Sequence, residues 1–176
     1  MLLEAHDYLD EEEKTNLIIP AIDFVLEQKF PKTGNYRSSL NSNEDRLVHW
    51  CHGSPGVIHL LILAYRTFKQ EKYLNAARQA SDDIWSRGML KKGCGVCHGT
   101  AGNAYAFVRM YQLTKEPEYL RRANKFAEWC FDYSNHRNRI PDRPLSLFEG
   151  LAGIIYFLAD MTKPEHSKFP GFQLSN

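Results

Sequence analysis

Three short stretches of this chain carry the residues best suited to chemistry. They are His49-Trp50-Cys51-His52-Gly53-Ser54-Pro55-Gly56, Gly95-Val96-Cys97-His98-Gly99-Thr100-Ala101-Gly102 and Ser146-Leu147-Phe148-Glu149-Gly150-Leu151-Ala152-Gly153. Each ends in a Gly-x-x-Gly step leading into an apolar run, and the first two carry Cys-His-Gly at that step. Thiolates and neutral imidazoles are common zinc ligands, because zinc is borderline soft. Cys51, Cys97 and His98 would supply two thiolates and one nitrogen, whose charge balances a divalent ion. Three protein ligands leave a fourth position open, which is the pattern of a catalytic site rather than a closed structural one. Helix N-termini also favour thiolates through unsatisfied N–H groups and the dipole. One Cys-His-Gly box could simply pack at a helix entry; two boxes in repeat register favour the metal.

Two other patterns are weaker. Cys94-Gly95-Val96-Cys97-His98 matches the C-x-x-C-H signature of covalent haem attachment. That chemistry needs export, and the first box has no cysteine three residues before Cys51. A thioredoxin-like pair would need a βαβ context, and none surrounds it. Cys130 sits in the helical run Phe126-Ala127-Glu128-Trp129-Cys130-Phe131 and is expected to be buried.

The elements that must position these boxes repeat with them. Gly53 and Gly99 lie 46 residues apart, as do Cys51 and Cys97, His52 and His98, Tyr65 and Tyr111, Lys69 and Lys115, and Ala77 and Ala123. A common offset over several residue types marks an internal repeat. Gly150 follows Gly99 by 51 residues, so residues 134–145, polar and containing Pro141 and Pro144, are expected to form an inserted loop. Within each unit the apolar spacing is helical. Val57, Leu60, Leu61, Ala64 and Phe68 mark an inner helix, and Leu74, Ala77, Ile84 and Trp85 mark an outer one. Ser54 and Thr100 are expected to be the N-caps of the inner helices. A first helix over Glu11 to Phe30 is expected to break or kink at Pro20. Residues 31–46 read as a polar connection that could hold a hairpin or an extended strand. The expected fold is all-α: stacked helix pairs with their boxes at one pole, as an α/α solenoid or toroid.

The chain has 176 residues, a formal charge of +1 and an ordinary 43% of hydrophobic residues, so it is expected to form one domain or part of one. A near-neutral charge gives no case for nucleic acid, and no apolar run approaches a membrane span. No basic-then-apolar leader opens the sequence, which suggests a reducing compartment and free thiols.

The strings Leu47 to Gly56, Lys91-Lys92-Gly93 with Cys97 to Tyr105, Lys125 to Cys130, and Ser146 to Gly150 resemble the eukaryotic LanC-like proteins, relatives of the bacterial lanthionine synthetase cyclases. The resemblance runs from about Phe30 onward and implies the C-terminal part of a single toroid domain over residues 1–176, a partial ring of helix pairs. It implies zinc held by Cys51, Cys97 and His98, and addition of a glutathione thiol to dehydroalanine or dehydrobutyrine in proteins. It also implies glutathione contacts at Lys92 and Arg139. Attack on the alkene builds an enolate that needs an acid, and His52, beside a ligand, is the candidate. Glu149 replaces histidine in the third box. Further acid/base groups of the family are expected upstream of this chain, which would leave it incomplete as a catalyst. The competing expectation is a non-catalytic zinc- and glutathione-binding scaffold with signalling partners. A toroidal glycosidase would need paired carboxylates, and Glu149 has no evident mate. The expected location is the cytoplasm, with peripheral attachment at the plasma membrane left open.

Overall fold

The computed structural model describes residues 2–136 and 139–173. Among them there is no β-strand, only two isolated bridges, Lys29 to Tyr36 and His49 to His52. The hairpin considered for residues 31–46 is not formed. Its polar groups turn inward instead: Asn35 donates to Asp45 Oδ1 and Leu47 O at 2.8 and 3.0 Å.

The 46-residue repeat holds element by element. Helix α3 (Ser54–Phe68) maps onto α5 (Thr100–Thr114). Helix α4 (Glu71–Arg87) starts 46 residues before α6 (Pro117–Phe131). Even the terminators match: Lys69 and Lys115 both adopt left-handed backbone, with φ of 55° and 60°. The third inner helix, α7 (Leu151–Asp160), begins directly after Gly150. Helix α5 is buried on every side from Thr100 to Met110. By contrast α6 buries one stripe, Tyr119, Ala123, Phe126 and Cys130, at the spacing of a surface helix. The outer pair α4 and α6 is joined by Trp85, whose ring stacks on Phe126 at 6.1 Å under the Arg121 and Arg122 guanidiniums. Arg78 adds a two-pronged pair to Glu116 at 2.6 and 2.9 Å. Exposed pairs of this kind stabilise by about 1 kcal/mol at most, so burial of Phe107, Phe126 and their neighbours holds the helices together.

At the amino end, α1 (Glu11–Glu13) and α2 (Ile19–Glu27) are joined through a π turn over Lys14–Ile18. The α pattern is thus interrupted just before Pro20, as expected, but the helical run does not end: Pro20 sits in the first turn of α2, and the wider π turn before it accommodates its ring and missing N–H.

The expected caps are corrected. Gly53 and Gly99 are the N-caps, and neither inner helix has a side-chain cap. Ser54 lies inside the helix, with its hydroxyl 2.5 Å from Asp83 Oδ2 and its N–H donating to Asn35 Oδ1. Thr100 Oγ1 accepts from the Leu90 N–H. The Ser54 hydroxyl ties α3 to α4, and the Thr100 hydroxyl ties α5 to the loop at Leu90; neither closes a helix end. No helix among the described residues is long and apolar enough to cross a membrane.

Candidate metal centre

The boxes lie side by side at the N-terminal ends of the inner helices, stitched by backbone. Cys51 N–H donates to Cys97 O at 3.2 Å, and Cys97 N–H donates to Phe148 O at 2.7 Å. His49 and His52 exchange both of their backbone hydrogen bonds, closing the first box into a tight loop. Asn103, on α5, donates to Val48 O and Gly88 O at 2.8 and 2.9 Å, binding the first box to the second repeat.

The second glycine of each step has a shared purpose. A Cβ on Gly56 would press into the carbonyl of Trp50; one on Gly102 into Val96, and one on Gly153 into Leu147. In every repeat the helix approaches the carbonyl six residues upstream, closer than any side chain allows. That carbonyl belongs to the residue just before Cys51, Cys97 and Phe148 respectively. The glycine thus pins the position that carries the thiol, and in the third box the same position holds Phe148.

The geometry brings the donors together. The ligand atoms of Cys51, Cys97 and His98 all lie within 4.8 Å of one another. His49, Cys51 and His52 form a second such group, with His52 Nδ1 at 3.2 Å from Cys51 Sγ. Spacing alone does not single out His49, although it lies two residues before Cys51 in the same box. It is buried, and its ring centroid lies 6.2 Å from that of His98. Burial and the neighbouring Lys92, His98 and His52 push its pKa down to about 4. Burial and Lys92 likewise push His98 below its ordinary value, which favours the neutral form that binds metal. Burial and the adjacent Cys51 thiol push Cys97 up to about 12. Two crowded thiols and a neutral imidazole fit a thiophilic divalent cation, which would take the place of the protons.

Beside this cluster is a small cleft of about 120 Å3, lined by Lys92, His98, Arg139, Asp142 and Glu149 among others. Lys92 and Arg139, distant in sequence, therefore share one wall with His98. Arg139 also reaches Asp142 at 3.3 Å. Glu149 acts electrostatically on both Cys97 and His98. Of the expected inserted loop, residues 137 and 138 lie outside the described residues. Cys94 and Cys130 are both buried, away from this cluster of donors.

An all-α arc of helix pairs, with thiols and imidazoles gathered at the inner N-termini, defines the class of molecule. Its architecture is similar to that of nisin cyclase, at a TM-score of 0.72 and 18% identity over 92% of this chain and 43% of the other. The fold is thus part of an α/α toroid. Residues 1–174 match the family described as lanthionine synthetase C-like protein, and the chain belongs to that family. The match takes in the first thirty residues as well as the stretch from Phe30 onward. The chain is also 52% identical to glutathione S-transferase LANCL1 of Danio rerio over 159 residues, 90% of this chain and 39% of the relative. It spans about two fifths of the length of these relatives.

Proposed function

We propose that this chain carries the metal-binding part of a zinc-dependent thiol-addition enzyme, which joins glutathione to dehydroalanine or dehydrobutyrine residues of proteins. The observation that carries this reading is the convergence of Cys51, Cys97 and His98 within 4.8 Å from two boxes of one repeat. The likeness to a relative named as a glutathione S-transferase supports the choice of thiol. Zinc held by these three residues would lower the pKa of a thiol and keep its sulfur in place.

The chain's own residues would do the rest. Lys92 and Arg139 offer cations to the carboxylates of glutathione from the cleft beside His98. The sulfur bonds to the β-carbon of the alkene, the π electrons move to the α-carbon and its carbonyl, and a proton returns to the α-carbon. No group leaves. His52, whose Nδ1 lies 3.2 Å from the Cys51 sulfur, would be the acid for that step. Glu149 would tune the site by its charge. The site needs reduced thiols, which suits the cytoplasm.

The test is zinc content together with adduct formation. The zinc-loaded chain is incubated with glutathione and a dehydroalanine peptide, and the products are weighed by mass spectrometry. An adduct that depends on Cys97 supports the reading. Absence of zinc from the well-folded chain would sink it. A second reading is a non-catalytic zinc- and glutathione-binding scaffold. Glutathione binding without any adduct would favour that one.

A further inference from the structure

At the opposite ends of the same inner helices lies a second cleft, of about 690 Å3, with a very different lining. Arg66 and Lys69 reach it from the end of α3, Arg109 and Lys115 from α5, and Lys168 from the segment after α7. Among the described residues, the one carboxylate on its wall is Glu165, which pairs with Lys115 at 2.5 Å. Setting Lys168 aside, the four cations Arg66, Lys69, Arg109 and Lys115 face that one carboxylate, an excess of three. Two helix C-termini, at roughly −0.5 charge each, reduce that only to about two. Answering the helix dipoles therefore does not account for the charge.

Arg109 is the decisive residue. It is only 8% exposed, yet forms no ion pair among the described residues. Its Nε atom is buried with no hydrogen-bond partner. Its one side-chain hydrogen bond is from Nη1 to the neutral Gln112 Oε1, at 3.1 Å. That amide is fixed in orientation, because its Nε2 donates to Pro164 O and Ser167 O at 2.7 and 2.8 Å. Two charged groups act on it electrostatically, Arg66, which worsens the imbalance, and Glu4, which opposes it. Burying a guanidinium without an ion pair is costly. Here the fork is held rigid, backed by a clamped amide and flanked by a second fork.

We propose that this cleft is an anion site that takes a phosphate monoester between Arg66 and Arg109, with Lys69 and Lys168 at its edge. A phosphomonoester carries nearly two negative charges at neutral pH, and its oxygens match paired guanidinium forks. The site lies at the pole away from the thiol cluster, so it stands or falls independently of the thiol-addition reading.

The test titrates the chain with inorganic phosphate, and with glycerol 3-phosphate against glycerol, by calorimetry at fixed ionic strength. Saturable phosphate binding is expected, with glycerol 3-phosphate binding and glycerol not. Arg109→Gln and Arg66→Gln should each weaken binding about tenfold or more. Arg121→Gln, on the outer face of α6, should leave it unchanged. Arg66 is exposed, so Arg66→Gln keeps the question open to test if Arg109→Gln fails to fold. Sedimentation with phosphatidylcholine vesicles containing phosphatidic acid separates the sources of phosphate. Recruitment that free phosphate competes away and Arg66→Gln abolishes would support the site with a lipid-borne ligand. Free phosphate binding without recruitment would support it with a small free ligand. No saturable binding of either kind, or binding indifferent to both Arg66→Gln and Arg109→Gln, would overturn it.

Discussion

The two poles of α3 and α5 are built by opposite rules. At the N-terminal pole, glycines let helix and loop backbone approach so closely that no side chain fits between them, and the loops are stitched to each other. At the C-terminal pole, each helix ends on a lysine in left-handed backbone, and the space beyond is open and cationic. One pole spends its residues on fixing two sulfurs and an imidazole. The other accepts local strain and uncompensated charge. Tight packing suits a metal centre, where ligand positions must hold to a fraction of an ångström. Loose packing with excess charge suits an anion drawn from solution.

The contrast can be broken most severely at the metal. Cys97→Ala is expected to take the chain from a single bound zinc to none, a loss of about two orders of magnitude or more in affinity. Elemental analysis after gel filtration reads it, while helix content by circular dichroism stays close to that of the parent.

Next comes the glycine step. Gly102→Ala would drive a methyl group into the Val96 carbonyl and is expected to cost about 3 kcal/mol in urea unfolding. If the substitution proved neutral, the close approach would not be what pins Cys97.

The third effect is one of pH and lies between the poles. His59, on α3, has its Nε2 sealed off without a partner. Burial and the nearby Arg109 push its pKa down to about 3. It is neutral in the folded chain, whereas the unfolded chain gains a proton below about pH 6.5. Its share of stability is complete above that value and is lost as pH falls toward 3. Between pH 7 and 5 the loss should be about 2 kcal/mol. His59→Leu should flatten that part of the profile; a slope unchanged in the variant would assign it elsewhere.

The smallest effect sharpens the other pole. Lys115 holds φ of 60°, a conformation that glycine adopts without strain. Lys115→Gly is expected to raise stability by up to about 1 kcal/mol. A gain in stability would mean that the lysine serves charge at this pole and not the helix end. A loss would mean that its pair with Glu165 outweighs the strain.

Much of the N-terminal pole was legible from types and spacing. The offset of 46 located both inner helices, and the Cys-His-Gly boxes named the three donors that the structure gathers. These features are local or repeated, so they survive in a one-dimensional reading. The helix entries were misread because Ser54 and Thr100 look like caps by type, while their hydroxyls are drawn to Asp83 and to the Leu90 N–H across the fold. Helix periodicity likewise gave no hint that Pro20 would be absorbed by a π turn.

By itself the sequence determined that the chain is an all-helical repeat with thiols and imidazoles at a recurrent glycine step, because periodicity and residue chemistry are written along the chain. Only the tertiary structure decided that His49 joins that cluster and that Lys92 and Arg139 share a wall with His98. The same holds for Arg109, buried at the far pole with no ion pair among the described residues. Those facts depend on which distant segments the packing brings together, and on which charges it removes from water.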